Sequence, residues 1–445
     1  MPDADLRDTT YAWFVVFVLA LLQIGSYIDR QVINLLVEPL RRDFLISDTQ
    51  ISLLLGFAFA VFYAIVAVPI GRLADSFNRV AIVAAGVAFW SVATLGCMVA
   101  SGYWHLFAAR MLVGVGEAVL VPAGFSILSD YFRPGRLATA TSVMTGASFV
   151  GSGIALVFGG TVIAALPDTP TTSLPVVGEV RSWQIAFGFA SIPSLIFLCL
   201  MAFVREPARR DAGSTRDAVS FGDAIAFLAA DKALWVSLFV GMALVSAFQF
   251  GLTAWIPTFF IRTYGWSATE IGQLYGACFV IFATLGTVAG GWLCDRLFGR
   301  YGRRAFVMTP LISAALTVPT VMTFALAGNA TVSAVLLVPL TFFATLSFGA
   351  GVAAIPSLAP NRMRGQLVAA YMLVGTVIGQ GGGPWLIAVY TDHVAGDPLL
   401  IGRSIAVVSP GLLLVAAAIL WRAYWQLGRV DGSPQELSIG GPNVR

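Results

Sequence analysis

The chain has 445 residues, of which 58% are hydrophobic and only 11% are charged, and its formal net charge is +3. A soluble domain carries about 25% charged residues, so this composition excludes an ordinary water-soluble enzyme. The small positive charge also excludes a nucleic-acid-binding surface. With a mean hydropathy of +0.85, the composition indicates a multi-pass protein of the cell (inner) membrane.

Twelve apolar segments are long enough to cross a bilayer, which takes roughly 20 residues per helix. We predict spans at residues 11–38, 49–74, 80–101, 104–131, 137–165, 183–204, 232–263, 267–294, 304–327, 331–358, 363–391 and 400–426. The first apolar run is too long for a signal peptide and lacks an A-x-A cleavage site, so it is kept as a span.

The spacing of these spans divides the chain into two halves. The prediction is an all-α membrane protein with an N-terminal six-helix bundle at 1–204 and a C-terminal six-helix bundle at 232–427. Residues 205–231 are predicted to be a cytoplasmic linker whose later part forms a short amphipathic helix. Residues 428–445 are predicted to be a cytoplasmic tail.

Basic residues are unevenly divided between the two sets of loops. If the N-terminus is cytoplasmic, nineteen Arg and Lys residues lie in inside segments, whereas five lie in outside loops: Arg41, Arg42, Arg181, Arg262 and Arg403. By the positive-inside rule, both ends of the chain are predicted to be cytoplasmic, which requires an even number of spans.

Two short motifs recur in the two halves. GRLAD at 71–75 ends the second span and GWLCD at 291–295 ends the eighth, while RPGR at 133–136 is echoed by RMRG at 362–365. Parallel repeats of this kind belong to transporters that rock two bundles around a site near the midplane.

The segment GRLADSFNR at 71–79 resembles the loop motif of the major facilitator superfamily, with Asn78 where the family usually has Gly. Asn tolerates the left-handed conformation better than most residues. Within the superfamily, the chain resembles the spinster-like branch through SYIDR at 26–30, RMLVGVGEA at 110–118, SWQ at 182–184 and REP at 205–207. Organic-anion/proton symporters share the first two patterns. The resemblance implies two pseudo-symmetric six-helix bundles that work by alternating access.

Four charged residues lie well inside predicted spans, away from the span ends: Asp29 and Arg30 in span one and Arg110 and Glu117 in span four. Such a residue costs about 2.5–3.5 kcal/mol at the centre of a span, so it normally faces a cavity or a partner. Burial makes a carboxylate hold its proton and a nearby Arg opposes this. We therefore predict that Asp29 and Glu117 carry protons, with Arg30 and Arg110 as modulators or anion contacts. The spinster resemblance implies the same; the alternative is a static ion-pair network between the two spans.

Histidine is the other common proton carrier near neutral pH, but the chain has only two. His105 begins span four and His393 follows Asp392 in a loop. Both are predicted to be interfacial or solvated.

The repeated G-x-L-x-D motif also predicts a cytoplasmic gate formed by Gly71, Asp75, Arg79 and Asp295. In a rocking transporter, such residues contact the opposite half and hold the inside closed until substrate shifts the balance between states. A solvated loop with orienting Arg residues is the alternative, and it does not explain the paired Asp75 and Asp295.

Glycine is frequent in spans five and eleven, and span eleven contains Gly379-x-x-x-Gly383-Pro384. Small residues let helices approach closely, so these glycines are interpreted as packing positions rather than as evidence for exchange.

The second half has no charged residue in the middle of spans seven, nine, ten, eleven or twelve. Candidate substrate contacts are Tyr27, Phe248, Gln249, Phe250, Trp255, Tyr275 and Gln380. A charged half facing a mostly apolar half suggests an amphipathic solute. The spinster resemblance implies a lysophospholipid or a sphingoid lipid, and a sugar acid or aromatic acid bound by Arg30 or Arg110 is the alternative.

Other function classes lack their motifs. The single Lys232 is not part of a P-loop, so the chain is not an ATP-driven pump. Neither HExxH nor GxSxG is present, and the four cysteines include no CxxC pair, so no enzyme, cofactor or metal site is predicted. The prediction is a secondary active transporter, proton-coupled and monomeric, whose partners are protons, membrane lipid and a small amphipathic solute.

Overall fold

The structure is a computed structural model that describes residues 8–165, 171–174, 178–209, 221–360 and 363–430. Nearly all of these residues are helical. The first half contains α1 (Thr10–Gln31), α2 (Val37–Phe44), α3 (Asp48–Ser52), α4 (Ala58–Ser76), α5 (Arg79–Met98), α6 (Tyr103–Glu117), α7 (Leu120–Tyr131), α8 (Pro134–Ala165) and α9 (Ser182–Met201). Two short strands, β1 (Thr172–Leu174) and β2 (Gly178–Val180), form an antiparallel pair between α8 and α9.

The helix α10 (Phe221–Ala230) lies in the predicted linker, ahead of the second half. The second half contains α11 (Lys232–Tyr264), α12 (Ala268–Cys278), α13 (Thr284–Tyr301), α14 (Ala305–Leu326), α15 (Ala330–Leu358), α16 (Arg364–Val374), α17 (Gly383–Tyr390) and α18 (Ile401–Val430). Wider π-helical turns at Leu53–Phe57, Phe279–Ala283 and Gly375–Gly382 lie within spans two, eight and eleven.

Eleven helical segments in the described ranges are long and apolar enough to cross a membrane. One of them, Ala268–Leu326, has 59 residues, about twice what a bilayer needs. Its helix breaks at Gly302, where φ is +56°, a backbone conformation that favours glycine. This segment therefore contains spans eight and nine, and the prediction of twelve spans is confirmed.

The alternating spans place the loops on two faces of the protein. We call the face with residues 203–209 and α10 the linker side, and the face with the β1–β2 pair the far side. The prediction that the linker side is cytoplasmic rests on the distribution of Arg and stays a prediction.

Span four is divided into α6 and α7 just after Glu117. Pro122 explains the break, because proline has no N–H for the carbonyl of residue 118 and its ring crowds that carbonyl. The sequence thus places Glu117 at a discontinuity near the middle of the membrane.

Asn78 has a different role from the one the sequence suggested. Its backbone is extended, with φ −62° and ψ 114°, and its side chain accepts a hydrogen bond from the N–H of Ala81. Asn78 therefore caps the first turn of α5, as Asn commonly does, and its tolerance of left-handed conformations plays no part.

The two halves approach each other closely between α8 and α12. A Cβ on Gly153 would meet the backbone oxygen of Gly276, and a Cβ on Gly276 would meet that of Gly153. Gly160 and Gly272 are equally close to the opposite helix. The glycines of span five thus allow backbone contact between the halves, as the packing interpretation predicts.

Candidate functional site

A cavity of about 270 Å³ lies between the two halves. Its first-half wall comes from spans one, two, four and five, and its second-half wall from spans seven, ten and eleven. Much of the wall is apolar, with Val121, Phe125, Met144, Met242, Phe250 and Phe348 among its residues. Met side chains adapt to differently shaped apolar groups, so this wall suits a flexible hydrophobic body.

The cavity extends from the middle of the membrane toward the linker side. Its lining residues in α7 and α8, such as Phe125 and Met144, lie in the parts of those helices nearest the linker side. Toward the far side the space narrows to a pocket of about 20 Å³, where Arg30, Phe250 and Gln380 line both spaces. These three residues form the closed end of the cavity.

Arg30 is the only charged residue among the described cavity-lining residues. Its Nη2 lies 2.5 Å from Oε2 of Glu117. Its guanidinium also lies close to three aromatic rings, 4.7 Å from the centroid of Tyr27, 4.2 Å from Phe59 and 5.5 Å from Tyr63. Cation–π contacts of this kind hold a guanidinium in place without neutralising it.

Glu117 lies behind Arg30 and is 1% exposed. Its Oε2 accepts hydrogen bonds from Arg30 and from the hydroxyl of Ser26, the latter at 2.6 Å, while Oε1 has no hydrogen-bond partner among the described residues. The carboxylate therefore depends on Arg30 for its counter-charge.

Asp29 and Arg110 form a second buried group that does not line the described cavity. Asp29 is 0% exposed, and its Oδ2 accepts a hydrogen bond from the hydroxyl of Ser194 at 3.1 Å. Nη1 of Arg110 donates to the backbone oxygen of Asp29 at 3.0 Å. The four predicted residues thus lie in two neighbouring groups, Arg30 with Glu117 at the cavity and Asp29 with Arg110 inside the first half.

Three of the seven predicted substrate contacts, Tyr27, Phe250 and Gln380, line the cavity. Phe248 and Gln249 are buried and lie off the described wall, because successive helix residues point about 100° apart.

Trp255 and Tyr275 are also placed in the core. The indole N–H of Trp255 donates to the backbone oxygen of Pro384 at 2.9 Å, and the ring of Tyr275 packs against Phe279. Both aromatic residues are buried and do not line the described cavity.

Arg79, one of the predicted gate residues, is buried within the first half. It forms ion pairs with Asp130 of its own half at 2.5 Å and with Glu206 at the start of the linker at 2.7 Å, so neither of these partners lies in the opposite half. Asp295 is exposed at the end of span eight. The surroundings of Gly71 and of the Asp75 side chain lie outside the described part of the structure.

The two histidines are exposed on the far side. Nδ1 of His105 is 2.7 Å from the hydroxyl of Ser101. Neither histidine lies among the described residues of the cavity wall.

A group of polar residues on the far side joins the two halves. We call Glu38, Asp48, Thr49, Arg262 and Asp392 the far-side lock. Arg262 from span seven forms ion pairs with Asp48 at 2.6 Å and with Glu38 at 2.6 Å, both in the first half. The backbone N–H and the hydroxyl of Thr49 both donate to Asp392 of the second half, at 2.7 and 2.6 Å.

The predicted spans alone place Arg262 in an outside loop and give no sign of this lock. Arg262 lies in the last turn of α11 and its side chain is only 4% exposed. One sequence feature does point to the lock. Acidic residues lie at far-side helix ends in both halves, within reach of an Arg at the end of span seven.

Comparison with known proteins gives a consistent picture. The sequence profile of the Major Facilitator Superfamily matches residues 19–384. An MFS-type efflux pump of Mycolicibacterium smegmatis is 28% identical over 429 residues, covering 94% of this chain and 94% of the relative. Protein spinster homolog 3 of Danio rerio is 25% identical over 428 residues, covering 88% and 80%. A galacturonate transporter of Dickeya chrysanthemi is 28% identical over 305 residues, covering 65% and 83%.

The fold is also similar to a solved structure. A bacterial homologue of the human lysosomal transporter Spinster, in an inward-facing and unoccupied conformation, superposes with a TM-score of 0.79 at 24% identity. The match covers 96% of this chain and 99% of that chain. The spinster resemblance and the major facilitator fold predicted from the motifs are therefore confirmed.

Proposed function

The chain belongs to the Major Facilitator Superfamily, and on that premise we propose that it is a proton-coupled carrier of an amphipathic, lysolipid-like anion. The observation that supports this most strongly is the position of Arg30. It is the only charged group on the described wall of a largely apolar cavity, and it lies at the closed end. Such a wall fits a solute with an acidic head near Arg30 and a hydrophobic body toward the linker side.

The ion pair between Arg30 and Glu117 supplies a coupling mechanism. When Glu117 is ionised, it occupies the guanidinium that an anionic head would need. When Glu117 takes up a proton, the pair loses its attraction, and Arg30 offers its donors to the solute. Proton and anion then bind together, so they cross the membrane in the same direction as a symport pair.

Alternating access requires the far-side lock to open. In the present state Arg262 is held by two first-half carboxylates, and the described cavity extends from Arg30 toward the linker side. The halves must separate at Arg262 and at the Thr49–Asp392 contact before the far side can load or release solute. Solute and proton binding near Arg30 would supply the free-energy difference that shifts the population between states.

A small sugar acid is the second candidate substrate. The cavity volume of about 270 Å³ lies near the lower end of ligand pockets, roughly 300–1,000 Å³, and suits a compact acid. A galacturonate transporter is among the relatives of this chain. The same Arg30 would bind the carboxylate of such a solute.

Uptake by purified protein in proteoliposomes tests the proposal. Lysophosphatidylglycerol and galacturonate are offered separately at acidic pH, with Arg30→Ala as the test variant and the exposed Arg133→Ala as the control. Uptake of the lysolipid by wild type and by the control, lost in Arg30→Ala, is the expected result. Uptake of galacturonate alone would assign the second candidate, and uptake of neither would contradict the proposed function.

A further inference from the structure

Several buried polar atoms in the first half have no hydrogen-bond partner among the described residues. They include Oδ1 of Asp29, Nε and Nη2 of Arg110, and the indole Nε1 of Trp90. Each unpaired buried group is costly, so a group of them in one place indicates a site that is satisfied in another state or by another partner.

These atoms lie where spans one, three and four pack together. Trp90, Thr94 and Cys97 follow one another at helical spacing on α5, and all three are buried. A Cβ on Gly116 would meet the backbone of Trp90, which shows that this part of α5 packs directly against α6. The indole of Trp90 lies near the Asp29 carboxyl, but among the described residues its N–H has no acceptor at good hydrogen-bond geometry in this state.

The free groups are complementary. Trp90 and Arg110 can only donate hydrogen bonds, whereas an ionised Asp29 can only accept them. In this state the described side-chain hydrogen bond to Asp29 comes from Ser194 on α9, whereas Trp90 lies on α5.

We propose that Trp90 is a positioning residue for Asp29, donating its indole N–H to the carboxylate when Asp29 is ionised and losing that bond when Asp29 is protonated. The proposal rests on the proposed function, because it gives Asp29 a place in the proton cycle. Arg110 strengthens the ionised arrangement from α6 with its unused nitrogens. Bond exchange at Asp29 thereby links its protonation to the relative position of spans one, three and six.

Other groups that face Asp29 bear on its titration. Glu117 and Arg110 face it from span four, and Cys97 and Trp90 from span three. Ser194 faces it from span six, and Arg30, its neighbour on span one, is turned toward Glu117. Trp90 is distinct among them, since its only polar atom is unpaired and it can be changed without changing any charge.

The proposal is tested by measuring lysophosphatidylglycerol uptake as a function of pH in Trp90→Phe. This variant keeps an aromatic side chain but removes the indole N–H. Losing a donor to a charged acceptor makes the ionised form of Asp29 less favourable, so the midpoint of the pH dependence should move to higher pH by about one unit. Ser91→Ala is the matched control, because Ser91 is also buried and unpaired on the same helix. Its pH profile should not move. A profile of Trp90→Phe that matches wild type would overturn the proposal.

A second measurement needs neither transport nor a change at Trp90. In detergent-solubilised protein labelled with ¹⁵N-tryptophan, one indole N–H resonance should move downfield as the pH rises and should stay fixed in Asp29→Asn. Absence of any indole resonance with this Asp29-dependent titration would overturn the proposal. A positive spectrum with pH-independent uptake would instead contradict the proposed function alone, so the two failures are distinguishable.

Discussion

Arg30 and Glu117 form an ion pair of which only Arg30 reaches the described cavity wall, with 2.5 Å between Nη2 and Oε2. Glu117 holds the guanidinium from behind, at the break between α6 and α7. A proton on Glu117 therefore changes what the cavity presents to a solute without itself being in the cavity. This relationship underlies the first two predictions.

Replacing Glu117 by Gln imitates its protonated form permanently. We expect the variant to exchange labelled for unlabelled lysophosphatidylglycerol at a rate that no longer falls as pH rises, because Arg30 is free at every pH. Accumulation driven by a proton gradient should be lost. Exchange and accumulation are measured in parallel, with Ser26→Ala as the control that removes only a neutral hydrogen bond to Glu117. Exchange by Glu117→Gln that keeps the wild-type pH dependence would contradict this role.

Replacing Arg30 by Lys keeps the charge but not the flat guanidinium that packs among Tyr27, Phe59 and Tyr63. Lys is a compact point charge and lacks the planar fork of Arg, so we expect at least a tenfold loss of uptake, corresponding to about 1.4 kcal/mol. Arg30→Ala should abolish uptake. Equal uptake by the Lys variant and wild type would show that charge alone is required.

Opening of the far-side lock is predicted for Asp48→Asn. Breaking a buried ion pair by changing one partner costs about 3 kcal/mol. Here the change destabilises the conformation with a closed far side, in which Asp48 pairs with Arg262. Spin labels at Leu45→Cys and Leu399→Cys, exposed positions in opposite halves, report the distance by pulsed electron resonance. The exposed Cys199 is replaced by Ser in this background.

The distance distribution should shift toward longer values in Asp48→Asn. Asp43→Asn is the matched control, because Asp43 contacts Arg181 and Trp183 within its own half. A shift of equal size in both variants would indicate a general loosening of the far side and not a lock.

The contact between α8 and α12 predicts the effect of bulk at Gly153. A Leu side chain there would meet the backbone of Gly276 and the side chain of Val280, so the far side cannot close and the transport cycle stops. We expect uptake to be lost while the protein still inserts and purifies as a monodisperse species. Gly411→Leu in span twelve, where a Cβ meets nothing within 4 Å, should retain uptake. Normal uptake by Gly153→Leu would refute the packing argument.

Arg79 is predicted to act on stability. Arg79→Ala leaves Asp130 and Glu206 without their shared cation, which should destabilise the first half by about 3 kcal/mol and lower Tm by a few °C. The exposed pair of Arg133 and Asp8 offers the comparison, since Arg133→Ala should change Tm by less than the measurement error. Thermal unfolding in detergent separates the two outcomes, and equal Tm values for both variants would contradict the prediction.

The fold was largely predictable because a bilayer imposes simple constraints on length and hydropathy. The burial of the intramembrane charges among partners was also predictable, because a charged residue within a span is costly unless it faces a cavity or a partner. Their pairing was not: Arg30 follows Asp29 directly, yet it pairs with Glu117 while Asp29 meets Ser194, a choice set by how spans one, four and six pack.

Long-range partners explain the remaining gap. Arg262 meets Asp48 across 214 positions and Glu38 across 224, so no local pattern marks it as part of a lock. The cavity wall was predictable only in part for a similar reason. Phe250 faces the cavity and Phe248 faces the core. Because the residues around both are mostly apolar, the sequence does not show which of the two faces the cavity.

Coupling of protons to solute through Arg30 and Glu117 is tested most directly by measuring proton movement and solute uptake in the same experiment. Proteoliposomes containing wild type or Glu117→Gln are loaded with a pH-sensitive dye and given lysophosphatidylglycerol without any imposed gradient. We expect uptake of the lysolipid to be accompanied by proton movement in wild type and to proceed without proton movement in Glu117→Gln. Lysolipid uptake by wild type with no accompanying proton movement would contradict coupling through Arg30 and Glu117.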